Sequence, residues 1–289
     1  MTDHPTDPSV KTLLRPATLR ETYPEYDGQS VHTQTQPARD PDHVDAETVL
    51  PADVAKALEA DLYAHQATAL ERLQAGDNVT VATSTASGKT WIYTLYFALL
   101  KRQNPDARAL FLYPTKALST DQEQTINDLL GRLGVDAKAE TYDGDTPSDR
   151  RPRVREQADI VISNFAGINV YLNDHVKWRD VYRECELLVL DESHTYTGIH
   201  GMHVAWTVRR LRRIIDHYGA DPQLVCSTAT IGNPATHSET VTGASFTVVD
   251  KDGSPRGRRD IVFWQPPVEE AEPDEAVSET ERGPAPRSV

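Results

Sequence analysis

The stretch that most restricts the fold is 78–90, Asn78-Val-Thr-Val-Ala-Thr-Ser-Thr-Ala-Ser-Gly-Lys-Thr90. Apolar residues at Val79 and Val81 lead into small hydroxyl residues, then Gly88-Lys89-Thr90, then the apolar run 91–100. That is the order strand, phosphate loop, helix. Small residues let backbone N–H groups close around phosphate oxygens, and the helix that follows points its positive end at the anion. The pattern gives Ser87, Gly88, Lys89 and Thr90 to the phosphates, with Lys89 on the β- and γ-phosphates and the Thr90 hydroxyl on Mg²⁺. Three residues of type Gly-Lys-Thr are weak by themselves; the strand before and the helix after carry the assignment. Thr83 stands where the general pattern has its first glycine.

The rest of the chain repeats the same alternation. Short helices are expected at 51–60 and 62–73, the second ending at Gly76. Strands are expected at 78–82, 109–113, 137–142, 159–163, 187–191 and 223–227, and helices at 89–102, 117–132, 148–156, 166–173 and 201–217. Short apolar strands separated by amphipathic helices describe an α/β fold, a parallel sheet covered by helices on both faces. In the last helix Val204, Val208, Leu211 and Ile215 form one stripe, and Arg209, Arg210, Arg212 and Arg213 read as a solvated face before a DNA contact. Two further short strands, 246–249 and 260–264, are expected to pair with each other, and Pro266-Pro267 to close the globule. The expected organisation is therefore an extended N-terminal arm at 1–50, one domain at 51–267 and a disordered acidic tail at 268–289.

The chain has 44 Asp and Glu against 30 Lys and Arg, a formal charge of −14. That surplus argues against a generic nucleic-acid binder, which usually carries a basic footprint. It fits an acidic protein with no polyanion partner, or a protein of a saline cytoplasm. At molar salt the Debye length is about 3 Å, so net charge no longer repels DNA at range. The abundance of Asp, Glu and Thr and the scarcity of Lys favour the halophilic reading. Cys185 and Cys226 lie far apart with no metal-like spacing, so neither a disulfide framework nor a zinc site is expected. The N-terminus shows no signal peptide and the longest apolar run is too short to span a bilayer, so a soluble cytoplasmic protein without a membrane partner is expected.

The second chemical element is 187–194, Leu-Leu-Val-Leu-Asp-Glu-Ser-His. Carboxylates at the carboxyl end of an apolar parallel strand sit where open α/β sheets bind ligands. Asp191 can hold Mg²⁺ through water, Glu192 can orient and deprotonate an attacking water, and His194 lies toward the γ-phosphate. Here the residues carry a resemblance: Asp191-Glu192-Ser193-His194 resembles the DExH motif of superfamily 2 DExH/DEAD-box helicases. Leu62-Tyr-Ala-His-Gln66 resembles the upstream Gln motif, and Tyr113-Pro-Thr-Lys-Ala-Leu118, Tyr142-Asp-Gly-Asp-Thr-Pro147 and Ile162-Ser-Asn164 resemble the segments that lie on the nucleic-acid backbone. Thr228-Ala-Thr-Ile-Gly-Asn-Pro234 resembles the Ser-Ala-Thr motif. The strings at 142–147 and 229–234 are most similar to the branch of the mitomycin-repair and fungal RecQ-like helicases.

The resemblance, over about 50–267, implies a RecA-like P-loop three-layer domain, the first or ATP-binding lobe of such a motor, with ATP and Mg²⁺ as cofactors. Carried over, Gln66 contacts adenine, and His194, Thr228 and Thr230 couple hydrolysis to domain movement. Thr115, Lys116 and Asn164 face a nucleic-acid strand, single-stranded or duplex and DNA before RNA, in a DNA-repair setting. Ser193 replaces an apolar residue of the family motif and Thr228 replaces Ser. The segments expected of a second RecA-like lobe are not found after Pro267. The chain therefore reads as half of a helicase ATPase that needs a second-lobe polypeptide in trans, with very low turnover alone. The competing reading is a truncated, non-catalytic module that holds ATP or nucleic acid.

If the acidic charge belongs to a saline cytoplasm, added salt should screen self-repulsion and stabilise the fold. Raising KCl from about 0.1 to about 3 M is then expected to raise the thermal unfolding midpoint. A flat or falling midpoint would mark an ordinary acidic protein.

Overall fold

The computed structural model describes residues 30–264; the expected acidic tail, Pro266-Pro267 and residues 1–29 of the expected arm lie outside them. The chain divides by its internal contacts into a unit at 40–255 and a second unit, described at 30–39 and 256–264. In the second unit, strand β1 (Ser30–Gln36) runs antiparallel to the strand Arg259–Trp264.

The larger unit opens with β2 (His43–Val44), helix α1 (Ala52–Leu58) and β3 (Leu62–Tyr63), the two strands pairing antiparallel. Helix α2 (Ala64–Gln74), β4 (Val79–Ala82) and α3 (Lys89–Gln103) follow. Next come β5 (Arg108–Tyr113), α4 (Lys116–Arg132), β6 (Ala139–Thr141), α5 (Arg151–Gln157) and β7 (Ile160–Asn164). Helices α6 (Phe165–Tyr171) and α7 (Arg179–Arg183) lead to β8 (Cys185–Leu190) and the long α8 (Gly198–His217). The unit ends with β9 (Gln223–Thr228), α9 (Pro234–Thr242) and β10 (Thr247–Val249).

Seven strands form one parallel sheet in the order β10-β4-β9-β8-β5-β7-β6. Side chains alternate along each strand, so successive residues enter opposite layers. Phe111, Val189 and Val225 pack into one apolar cluster with Leu70, Phe97 and Ile126 of the helices on that side. Their neighbours Leu110, Leu188 and Leu224 pack into the other with Val204, Val208, Leu211 and Ile215 of α8. This two-sided burial is why the strands read as continuous apolar runs. Both cysteines are buried and free, and burial pushes each thiol up to about 12. Among the described residues no helix is long and apolar enough to cross a membrane.

Three expectations change. The strands at 246–249 and 260–264 do not pair: β10 joins the sheet edge beside β4, and Arg259–Trp264 pairs with β1. The connection between them is too long for a tight hairpin, and Asn78 fixes the alternative. Its carbonyl accepts from Thr247 N–H (2.8 Å) and its side-chain amide donates to the Ser245 carbonyl (3.2 Å). Helices α7 and α9 were not expected, because one is short and the other, rich in Thr and Ser, lacks an apolar period. Finally, three of the four arginines of α8 are not simply solvated. Arg209 donates to the Thr240 carbonyl (3.0 Å), Arg212 to that of Thr242 (3.0 Å) and Arg210 to Asn169 Oδ1 (2.8 Å), stapling α8 to α9 and α6.

Leu188 is fully buried in the central strand β8. Leu188→Ala is expected to lower unfolding free energy by about 2–5 kcal/mol, read from urea midpoints at unchanged slope. A loss under about 1 kcal/mol would contradict the two-sided core.

Candidate nucleotide site

The carboxyl ends of β4, β8 and β9 lie together because β9 pairs with both of the others. The loop leaving β4 is shaped by two left-handed residues, Ala86 (φ 62°) and Gly88 (φ 78°). At Gly88 the positive φ strains any side chain, and a β-carbon 2.5 Å from Gln66 Nε2 would displace that amide. Ala86 holds a conformation that non-glycine residues rarely adopt, and such strain gathers at functional sites. Thr83, the departure from the glycine pattern, is fully buried, and its hydroxyl meets that of Ser87 at 2.7 Å across the base of the loop. A hydroxyl at 83 thus closes the loop.

Side chains hold the carbonyls of this loop. Lys89 Nζ donates to the carbonyls of Thr83 (3.2 Å) and Ser84 (2.8 Å). Gln66 Nε2 donates to the Gly88 carbonyl (3.0 Å), while Gln66 Oε1 accepts from Tyr63 N–H (2.9 Å). His65 Nε2 lies 3.0 Å from the Ser87 carbonyl, and His65 Nδ1 accepts from Gly253 N–H at 3.2 Å. These contacts match a ring proton on Nε2, and Nδ1 also lies 3.9 Å from Asp252 Oδ1. Burial holds the Lys89 ammonium below its usual range, opposed by the charges of Glu192, Asp191 and Asp252. Thr90 donates to Gln122 Oε1 (2.8 Å) and accepts from the Tyr93 hydroxyl (3.2 Å), which also meets the Tyr113 hydroxyl at 3.1 Å.

The parallel register places Leu190 beside Cys226, so the next residues, Asp191 and Ser227, are neighbours. Ser227 donates to Asp191 Oδ1. Burial pushes the Asp191 carboxyl up to about 6; the Ser227 hydrogen bond and Lys89 oppose this and the Glu192 charge adds to it. Glu192 has left-handed backbone (φ 47°), and its Oε2 lies 3.3 Å from His194 Nδ1. The Ala229 N–H donates to that same nitrogen (3.3 Å), so His194 links the ends of β8 and β9. Ser193 is fully buried and its hydroxyl lacks a partner among the described residues, while its carbonyl accepts from His237 (2.7 Å). Thr228 is buried, its hydroxyl on the Ala229 carbonyl (3.0 Å), and Thr230 is exposed.

The residues assigned to a nucleic-acid strand lie at the ends of β5 and β7. Thr115 caps α4 and is exposed; Lys116 pairs with Asp145 at 2.7 Å. Asn164 is buried and caps α6, its Oδ1 accepting from Gly167 N–H (2.9 Å). Sequence reasoning missed His65, Gln122, Ser227 and Asp252. The register of β8 on β9 would have found Ser227, since a small hydroxyl residue follows Cys226.

The residues fit a magnesium-bound nucleoside triphosphate. A desolvated ammonium calls for an anion, and a buried carboxylate raised toward neutrality calls for a cation. Among the described residues no cluster of three or more His, Cys, Asp or Glu forms a metal cage. One carboxylate, one hydroxyl, phosphate oxygens and water are the usual magnesium set.

The DEAD/DEAH box helicase family profile matches residues 63–237. The chain is 42% identical over 209 residues to the uncharacterized ATP-dependent helicase YprA of Bacillus subtilis, covering 72% of this chain and 28% of that protein. It is 34% identical over 250 residues to the ATP-dependent helicase HRQ1 of Saccharomyces cerevisiae, covering 84% of this chain and 23% of that one. The crystal structure of the DUF1998 helicase MrfA bound to DNA superposes with a TM-score of 0.79 at 36% identity, over 89% of this chain and 35% of that chain. The chain thus spans about a quarter to a third of the length of these relatives. With a phosphate loop, a paired-carboxylate strand end and a seven-stranded parallel sheet, the chain belongs to the DEAD/DEAH box helicase family and carries its RecA-like, ATP-binding fold.

Proposed function

We propose that the unit at 40–255 is the ATP-binding lobe of a nucleic-acid-dependent ATPase of the DNA-helicase kind, and that turnover needs a second RecA-like lobe facing it. The observation that carries the first part is the pairing of a buried lysine in a phosphate loop with Asp191-Glu192 two strands away. Bound ATP–Mg²⁺ supplies an electrophilic γ-phosphoryl group. Lys89 exchanges its two loop carbonyls for the β- and γ-phosphates, with Ser87, Gly88 and Thr90 around them, and Gln66 serves the adenine. Thr90 and Asp191 would hold the cation, and Glu192 would orient the attacking water and take its proton. His194, Thr228 and Thr230 transmit the state of the site to the neighbouring lobe. Thr115, Lys116 and Asn164 serve the DNA strand, a role supported by the DNA-bound relative. A saline cytoplasm and a place in DNA repair belong to the same proposal, from the acidic charge and the branch resemblance.

Lys89→Ala removes the cation that faces the phosphates. Calorimetry is expected to find ATP–Mg²⁺ binding in the wild type and none in the variant; equal affinities would refute the phosphate-loop assignment.

Turnover also needs a positive charge against the developing γ-phosphate charge. An arginine finger from a facing lobe is worth about 10³–10⁵ in rate. The chain by itself is therefore expected to bind nucleotide, release phosphate barely above background and unwind nothing. Adding a second-lobe polypeptide should raise DNA-stimulated phosphate release, and Glu192→Gln should abolish that gain. Robust DNA-stimulated hydrolysis by this chain without the second lobe, lost in Glu192→Gln, would overturn the two-lobe requirement.

A further inference from the structure

The turn after β10 reaches the phosphate loop. Asp252 Oδ2 accepts from both the N–H (3.2 Å) and the hydroxyl (2.6 Å) of Ser84. Its Oδ1 accepts from the N–H (2.9 Å) and hydroxyl (2.7 Å) of Ser254. The next residue, Gly253, donates its N–H to His65 (3.2 Å), and its carbonyl accepts from Asp42 N–H (2.8 Å). A β-carbon at Gly253 would lie 2.9 Å from Ala64 N, so the turn is packed directly on the start of α2. His65 in turn lies on the Ser87 carbonyl, and Ser84 presents its own carbonyl to Lys89. One turn therefore holds the phosphate loop at two points: at Ser84 directly, and at Ser87 through His65.

We propose that Asp252 is a positioning residue of the nucleotide site, a clasp that fixes the phosphate loop in the shape that receives the triphosphate. The proposal rests on the ATP-binding reading above and adds to it a residue outside every motif quoted for the family. The chemistry is specific to a carboxylate. Four donors of Ser84 and Ser254 reach its oxygens, two of them backbone N–H groups that cannot reverse. Whichever way an Asn amide turned, its NH₂ would face the N–H of Ser84 or of Ser254. Asp252→Asn, nearly equal in size, should therefore behave much like Asp252→Ala. Without the clasp, Ser84 and the carbonyl it offers to Lys89 lose their fixed position. Binding must then order the loop, and the cost of ordering is subtracted from affinity.

The test is ATP–Mg²⁺ affinity by calorimetry, together with amide hydrogen exchange over 83–88 in the nucleotide-free chain. Asp252→Asn is expected to weaken binding by about ten- to a hundredfold and to speed exchange in that loop, while protection in β5 and β8 stays unchanged. Ser84→Ala removes the hydroxyl bond and keeps the N–H bond, so its loss should be smaller. Asp250→Asn, an exposed change on the same connection, should match the wild type in both readouts. Wild-type affinity and wild-type loop exchange in Asp252→Asn would overturn the clasp and leave the nucleotide reading standing. Failure of the wild type to bind ATP–Mg²⁺ would remove the nucleotide reading and the clasp with it. If Asp252→Asn does not fold, Ser84→Ala decides: unchanged affinity and exchange there refute the proposal.

Discussion

The phosphate loop is held by its carbonyls, and the rest of the site depends on that. Thr83, Ser84, Ser87 and Gly88 each offer a carbonyl to a side chain, from Lys89, His65 or Gln66. These bonds fix one curve of the loop, with the Ser84 N–H also held by Asp252 (3.2 Å). Small residues alone would permit this curve among many others. The donors from α2 and the lysine select it, and the left-handed Ala86 and Gly88 let the chain follow it.

The site is also electrostatically costly in two opposite ways. Burial works against the charge on Lys89 and against the charge on Asp191, so each is displaced toward its neutral form. Their mutual attraction offsets part of this, as the shifts of both groups record. A bound triphosphate with its cation would address both at once, an anion beside the ammonium and a cation beside the carboxylate. Differential stabilisation of this kind would couple ligand binding to the arrangement of β4, β8 and β9, whose ends carry these groups. His194 stands between Glu192 at the β8 end and Ala229 in the β9 loop.

Much of this was legible in the chain itself. Every expected strand of the sheet forms within a few residues of its expected ends, because strands buried on both faces must be apolar throughout. The phosphate loop and the Asp191-Glu192 pair were legible because their chemistry demands particular residues at short spacing. What escaped reading depends on long-range register. Ser227 acquires its role only when β9 lies beside β8, and Asp252 only when β10 takes the sheet edge next to β4. His65 sat inside a quoted motif, yet its contact to Ser87 follows from the packing of α2 against the loop. The misassigned pairing of 246–249 has the same origin. Local alternation marks a strand but leaves its partner open.

The arginines connect the charge of the chain to its stability. Arg209 and Arg212 bond to carbonyls of α9, Arg108 to those of Arg155 (2.8 Å) and Glu156 (2.9 Å), and Arg151 to that of Thr146 (2.9 Å). A guanidinium carries several donors in a rigid fork and is weakly hydrated, so it suits neutral carbonyls at element ends that would otherwise lack donors. An exposed ion pair such as Arg102–Asp53 (2.7 Å) is screened as salt rises. A short directional bond to a carbonyl depends far less on the ionic atmosphere. Screening in concentrated salt would therefore weaken the carboxylate repulsion implied by a charge of −14 while sparing these staples. That combination lets an acidic surface and a tightly held set of helix ends coexist in one domain.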